Sequence, residues 1–243
     1  MLGLVLALVS GLSFFIYMTI FYLPIIVFSG EEKSARLARR EFKKFGTWVL
    51  GSIGAKLEVI YEDKEAVENL KAKDGIVVVG NHQSNMDIPV LLAGFPFVVG
   101  YVAKKEMEKW PFFGTWMKKS HCVFLDRSNP REGIKSIKKA VEIIKAGYPI
   151  AIFPEGERSQ TGEIGEFKKG SFRLATETKG IIVPVTIKGT YEIQKRGSVK
   201  TKMGKNVKLI ISKPIYVKDM ETAEIKKLDK IVRDIVVENF EKF

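Results

Sequence analysis

Ile76-Val77-Val78-Val79-Gly80-Asn81-His82-Gln83-Ser84-Asn85-Met86-Asp87-Ile88-Pro89-Val90-Leu91-Leu92 is the stretch on which the fold turns. Its first five residues form a short, β-branched, uninterrupted apolar run. That pattern predicts a strand buried on both faces, as in a parallel sheet covered by helices. A polar heptad follows, and then a second apolar run that reads as a helix. His82 is one of only two histidines in the chain, and Asp87 comes five residues later. An imidazole titrates near neutral pH, and a carboxylate can fix its tautomer and stabilise its cation, so the two residues have the makings of a general base that needs no metal. On one continuous helix they would lie about 140° apart. A direct pair therefore requires His82 in the loop and Asp87 in the first helical turn. Ser84 and Asp87 also have the spacing of a capping box, with Asp in place of Glu or Gln. The residues alone leave two readings open: a catalytic pair, or a helix start beside a structural histidine. His121 opens an apolar run with only Asp126 across a strand from it and reads as structural.

Working outward, apolar runs alternate with helical patterns. Strands are expected at 76–80, 97–103, 121–125, 150–153, 181–187 and 207–212, and helices at 88–93, 104–118, 131–146, 170–179 and 222–240. This alternation predicts one α/β domain over 58–243, with a largely parallel central sheet covered by helices. Ligands of such sheets sit beyond the carboxyl ends of the strands, and the polar clusters fall at those ends. Asn81-His82 follows the first strand, Asp126-Arg127 the third, and Pro154-Glu155-Gly156-Glu157-Arg158-Ser159 the fourth. Arg158 offers a planar fork suited to phosphate. Glu155 is suited to accept from a polyol hydroxyl or to hold an arginine, and Arg127 either pairs with Asp126 or faces the cleft. Lys104 and Lys105 add cations at the same sheet end. Lys168-Lys169-Gly170-Ser171 opens a helix, where free amides favour an anion.

Residues 1–57 are expected to form an N-terminal membrane segment. Met1 to Ser29 carries no charged side chain. As a helix it would extend roughly 42 Å, beyond the roughly 30 Å hydrocarbon core of a bilayer. It lacks a basic n-region and is too long for a secretory signal, so it reads as a retained anchor. Pro24 is placed to kink or end the helix, and both a full span and insertion into one leaflet stand. From 31 to 57, Ala35, Ala38, Phe42, Phe45, Val49 and Ile53 recur at helical spacing, with Arg36, Arg39, Arg40, Lys43 and Lys44 on other faces. Such a helix either lies in the membrane interface or packs on the domain. Its basic flank puts the remainder of the chain in the cytoplasm. The net charge of +12 calls for an anionic partner: nucleic acid, an anionic membrane or a phosphorylated substrate. No nucleic-acid module or basic-aromatic platform is present, so nucleic acid is not expected. The single cysteine, Cys122, excludes an intramolecular disulfide framework or a multi-cysteine metal site and reads as a core residue.

Taken together, Asn81-His82-x-Ser84-x-x-Asp87, Val123-Phe124-Leu125-Asp126-Arg127, Phe153-Pro154-Glu155-Gly156-x-Arg158-Ser159 and Ile182-Val183-Pro184-Val185 resemble, in order and spacing, the four blocks of the glycerolipid acyltransferases. Within that family the sequence is most similar to the 1-acylglycerol-3-phosphate acyltransferases. The resemblance covers about residues 76 to 190. Ala103-Lys104-Lys105-Glu106, Pro111-Phe112-Phe113-Gly114 and Phe167-Lys168-Lys169-Gly170 match subsidiary patterns, and Glu157 departs from a position that is commonly threonine. The resemblance implies that His82 is the general base and that Asp87 orients it. It further implies that Arg127 binds the acceptor phosphate, with Glu155, Gly156 and Arg158 contributing to the glycerol phosphate site and Lys104 or Lys105 adding positive charge. It implies no cofactor and no metal. The expected partners are lysophosphatidic acid, an anionic phospholipid membrane, and acyl carrier protein or acyl-CoA as acyl donor, at the cytoplasmic membrane. Other readings are the same chemistry on glycerol 3-phosphate, another lysophospholipid or a lipid A precursor, and a non-catalytic basic protein that coats anionic membranes.

Overall fold

The structure is a computed structural model that describes residues 2–126, 129–198 and 200–243. Three helices come first: α1 (Leu2–Phe21), α2 (Leu23–Phe28) and α3 (Glu31–Ser52). There follow β1 (Lys56–Tyr61), α4 (Lys64–Glu68), β2 (Ile76–Gly80), α5 (Asp87–Gly94), β3 (Gly100–Lys104), α6 (Phe113–Lys119), β4 (Val123–Leu125), α7 (Pro130–Lys145) and β5 (Ile150–Ile152). The chain closes with α8 (Arg173–Thr178), β6 (Ile181–Lys188), α9 (Thr190–Ile193), β7 (Asn206–Ile211), β8 (Ile215–Tyr216), α10 (Thr222–Ile225) and α11 (Leu228–Lys242). The strands form one sheet in the order β1-β7-β6-β2-β5-β3-β4, with β8 also on β6. Every pairing is parallel except β6 with β7 and β6 with β8. The α/β class and the largely parallel sheet are as expected.

The five residues of β2 are all buried, because both sheet faces are covered. Ile76 and Val78 face one core with α1, α3, α5 and α6, and Val77 and Val79 face the other with α7, α8 and α11. Gly80 is needed for close approach: a Cβ there would stand 2.7 Å from Cγ2 of Val185 and 3.0 Å from its carbonyl oxygen.

The first helix ends at Phe21, and Pro24 lies in the first turn of α2, where its missing N–H costs no helical bond. Both helices pack on α3: Phe14 stacks on Trp48 with centroids 5.1 Å apart, and the Ser34 hydroxyl donates to the Ile26 carbonyl at 2.5 Å. The outward side of α1 and α2 exposes Leu12, Ile16, Ile20, Phe21 and Phe28. Residues 11–28 are long and apolar enough to cross a membrane.

Several expectations are corrected. The amphipathic helix stops at Ser52 rather than 57, because Gly54 takes a left-handed φ of +63° and Lys56 and Leu57 open β1 beside β7. The helix expected at 104–118 is broken: Lys104 ends β3, Lys105–Lys109 is a 3-10 turn, and α6 starts only after Pro111 and Phe112. The strand expected from 97 begins at Gly100.

His121 is structural in this fold. Its ring stacks on Tyr148 at 3.8 Å, and burial together with the Arg39 charge lowers its pKa to about 4. The unfolded chain therefore binds a proton between pH 6.5 and about 4 that the folded chain does not. The associated stability is fully present above pH 6.5 and is lost as pH falls through about 4. Urea denaturation at pH 7 and pH 4.5 checks this. We expect wild type to lose about 1 kcal/mol more than His121→Asn, less than the full shift would give because the ring is only partly buried and solvent screens it, asparagine being chosen because His121 sits at φ +60°. Equal losses in the two proteins would refute the assignment.

Candidate active site

The polar heptad leaves β2 under tight control. Asn81 is fully buried, and its side chain continues the strand ladder: its amide donates to the Ile187 carbonyl and its oxygen accepts from the Ile187 N–H, both at 2.8 Å. This staple to β6 frees the next residue to turn out of the sheet. His82 is then gripped by its backbone. Its N–H donates to Glu155 Oε1 at 2.6 Å, and its carbonyl accepts from the Ser159 N–H at 2.8 Å. Its ring lies flat on Phe153, centroids 4.2 Å apart and planes 13° apart.

Nδ1 of His82 is 2.6 Å from Asp87 Oδ2, with the imidazole 18% exposed and the carboxylate fully buried. The same oxygen accepts from the N–H groups of Gln83 and Ser84 at 2.7 and 2.9 Å, and Oδ1 accepts from the Thr190 hydroxyl at 2.5 Å. Four donors thus hold a buried carboxylate, which a lone buried anion requires. The contact to the Ser84 amide is one half of the capping box. The other half is absent: the Ser84 hydroxyl accepts from the Met86 N–H at 3.3 Å rather than from that of Asp87, while donating to the Gln194 carbonyl. Asp87 thus starts α5 and pairs with the His82 ring at once. Nδ1 engaged by Asp87 puts Nε2 at the free end of the ring, the atom from which a base can act.

Two further residues of the arrangement were not legible in sequence. Thr190 is fully buried and is placed by Gly189, whose φ of +95° and closeness to the Asn206 carbonyl exclude a side chain. A threonine that opens a short helix carries no signal of a partner 103 residues away. Arg196, in a loop with no strand-end signature, pairs with Glu157 at 2.6 Å and donates to the Arg158 carbonyl at 3.2 Å.

The loop after β5 begins with a turn closed by the Gly156 N–H on the Phe153 carbonyl at 3.0 Å, with Pro154 setting its direction. Glu155 uses both oxygens as a brace, one on His82 and the other on the Gly165 N–H at 2.9 Å. Burial raises its pKa, and the two backbone hydrogen bonds oppose that rise. Gly156, at φ +78°, leaves room for the Lys168 ammonium, which a Cβ would meet at 2.7 Å. Glu155, Arg158, Ser159, Gln160, Gly165 and Arg196 are among the residues lining a polar cleft of about 310 Å³ beside this loop. The described structure therefore brings His82, Asp87, Glu155, Gly156 and Arg158 to one region. Lys104 and Lys105 stand at the same sheet end, two strands from β2. Both are exposed and face acids, Lys104 with Glu106 at 4.0 Å and Lys105 with Glu108 at 2.6 Å. Arg127 lies outside the described residues. Cys122 is buried, and burial pushes its thiol up to about 12, so it is no nucleophile at neutral pH.

Comparison with known proteins follows the same outline. A family model described as acyltransferase matches residues 58–188. A chloroplastic 1-acyl-sn-glycerol-3-phosphate acyltransferase of Arabidopsis thaliana is 39% identical over 63% of this chain and 43% of its own length. The enzyme of that name from Saccharomyces cerevisiae is 34% identical over 78% of this chain and 61% of its own. The chain thus spans about half the length of the curated relatives it matches. The crystal structure of the 1-acyl-sn-glycerophosphate acyltransferase PlsC from Thermotoga maritima superposes with a TM-score of 0.78 at 30% identity, covering 97% of this chain and 95% of that one. By the family match and this likeness over nearly its whole length, the chain belongs to the acyltransferase family.

Proposed function

We propose that this protein is a membrane-bound 1-acylglycerol-3-phosphate 2-O-acyltransferase that makes phosphatidic acid. The observation that carries the reading is the His82–Asp87 pair, a buried carboxylate on Nδ1 of an otherwise solvent-reachable imidazole. A hydroxyl is a poor nucleophile at neutral pH, and a positioned base contributes about 10²–10⁴-fold. His82 Nε2 takes the proton of the acceptor 2-hydroxyl as its oxygen attacks the thioester carbonyl of acyl carrier protein or acyl-CoA. The tetrahedral intermediate collapses with formation of the C–O ester bond and cleavage of the C–S bond, and the imidazolium returns its proton to the leaving thiolate. Asp87 stabilises the imidazolium between these steps. The acyl group never visits a protein nucleophile. Arg127 and Arg158 are the proposed phosphate ligands, with Gly156 and Glu155 shaping that subsite and Lys104 or Lys105 attracting the anion. The apolar face of α1 and α2 keeps the enzyme at the cytoplasmic membrane, where acceptor and product reside, with residues 58–243 as the catalytic domain. The names of the relatives support the acceptor, and the basic flank of α1–α2 supports the orientation.

The test is acyl transfer by detergent-solubilised protein, with a panel of acceptors at fixed thioester donor and products read by lipid mass spectrometry. Preferred turnover of lysophosphatidic acid supports the reading. Preference for glycerol 3-phosphate or another lysophospholipid would replace the acceptor, and no transfer to any hydroxyl would end it.

Thr190 gives a second check on the same geometry. Thr190→Val removes one donor from the buried Asp87 carboxylate. We expect kcat to fall about tenfold, KM for both substrates to stay within about twofold, and Thr190→Ser to restore most of the activity. A fall in Thr190→Val that Thr190→Ser fails to restore would assign the effect to packing.

A further inference from the structure

Outside α1 and α2, the exposed large apolar side chains of the described residues are Trp110, Phe112, Ile134, Met203 and Tyr216. Only the first two lie together. Trp110 is 53% and Phe112 58% exposed, at the tip of the turn between β3 and α6. The backbone there is strained: Phe112 has φ +59° and ψ −48°, and the Phe113 N–H donates to the Pro111 carbonyl at 2.5 Å across this single residue. A bulky side chain rarely adopts positive φ. The turn is braced at both sides, since Glu108 bridges Lys105 at 2.6 Å and Lys118 at 3.2 Å, tying the 3-10 turn to α6. Strain and bracing together hold two aromatic rings outward, an arrangement that brings nothing in water.

We propose that Trp110 and Phe112 form a second membrane contact, a wedge that enters the headgroup–acyl boundary of an anionic leaflet. Three observations select lipid as the occupant. The next residue, Phe113, packs on Phe15 of α1 at 5.7 Å and on Phe42 of α3 at 6.1 Å, so the tip continues the apolar face of the first helices. Residues 104–119 carry five lysines against two glutamates, and one of those glutamates is spent on the brace. An amphipathic tryptophan beside an apolar phenylalanine, flanked by cations, suits the interface of an anionic membrane. The turn also follows the carboxyl end of β3, at the same end of the sheet as His82. The helical pair and the wedge thus give two contacts, which orient the His82 end toward the bilayer. That consequence rests on the acceptor being a membrane lipid, as proposed above; the wedge itself does not.

The experiment places an environment-sensitive thiol fluorophore on Phe112→Cys and, separately, on Tyr216→Cys, in the full chain bound to phosphatidylglycerol–phosphatidylcholine vesicles. Tyr216 pairs with Ile181 at the opposite end of the sheet, and Cys122 is buried. We expect the label at 112 to shift to the blue and to be quenched by nitroxides on the upper acyl chain, and the label at 216 to do neither. A label at 112 that stays open to iodide on protein that cosediments with vesicles would overturn the wedge. Shielding that appears without vesicles and grows with protein concentration would overturn it in favour of a second copy of the chain. In a turnover arm, Trp110→Ser combined with Phe112→Gly should cut acylation of vesicle-borne acceptor about tenfold and leave that of a monomeric short-chain acceptor within twofold. Glycine adopts the turn without strain, so a folding defect is not expected. An equal fall on both acceptors would count against the wedge. Failure of the catalytic reading would instead appear as no turnover in either arm, while the fluorescence result stands by itself.

Discussion

On the proposed mechanism, His82→Ala is expected to lower acyl transfer by about 10²–10⁴-fold, the contribution of one positioned general base, in protein that remains folded. The fold survives because the backbone of His82, not its ring, ties the loops together. The Glu155 and Ser159 hydrogen bonds are to its N–H and carbonyl and are indifferent to the side chain. The ring contributes a stack on Phe153 and one of the four donors to Asp87. At 18% exposure the site admits water to replace that donor. The loss should fall on kcat, with KM for acceptor and donor within about threefold, because the base acts in the transition state rather than in ground-state binding. The checks are steady-state kinetics alongside circular dichroism melts. A folded His82→Ala protein with wild-type turnover would remove the proposed base.

Asp87→Asn is expected to give a loss of the same order, about 10³–10⁴-fold in kcat, for a different reason. An amide oxygen in place of Oδ2 keeps the donors from His82, Gln83 and Ser84. The Thr190 hydroxyl can turn from donor to acceptor and meet the amide N–H₂. The geometry is thus largely preserved, at a stability cost of about 1–2 kcal/mol, but the negative charge that stabilises the imidazolium is gone. Asp87→Ala separates the two roles. It leaves all four donors without their acceptor in a fully buried site, and stability should fall by about 3 kcal/mol or more. Urea denaturation of both variants beside turnover checks the pair. An Asp87→Asn enzyme that keeps kcat would leave the carboxylate with the helix start alone.

Legibility followed the physics of each segment. β2 was read to the residue because both of its faces are covered and its side chains need no alternation. Lys56–Tyr61 went unread as a strand because the amphipathic pattern of α3 runs into it without a change of composition, and only a left-handed glycine at 54 marks the end. The 104–118 segment has a helical pattern of charges, yet Pro111 and the turn at Phe112 divide it. His82 and Asp87 were legible because their spacing is local. Thr190, the brace made by Glu155 and the pairing of Arg196 with Glu157 were not, since each joins segments that only the sheet brings together.

Residue order sufficed for the α/β class, the apolar first segment and the candidate pairing of His82 with Asp87, since these depend on local periodicity, composition and a spacing of five residues. Whether Asp87 served the helix or the histidine was beyond it. That was decided by the folded chain, in which one buried carboxylate meets an imidazole, two amides and the hydroxyl of the first residue of α9. A buried charge is tolerated only where enough donors converge on it, and convergence across 103 residues is a property of packing, not of pattern.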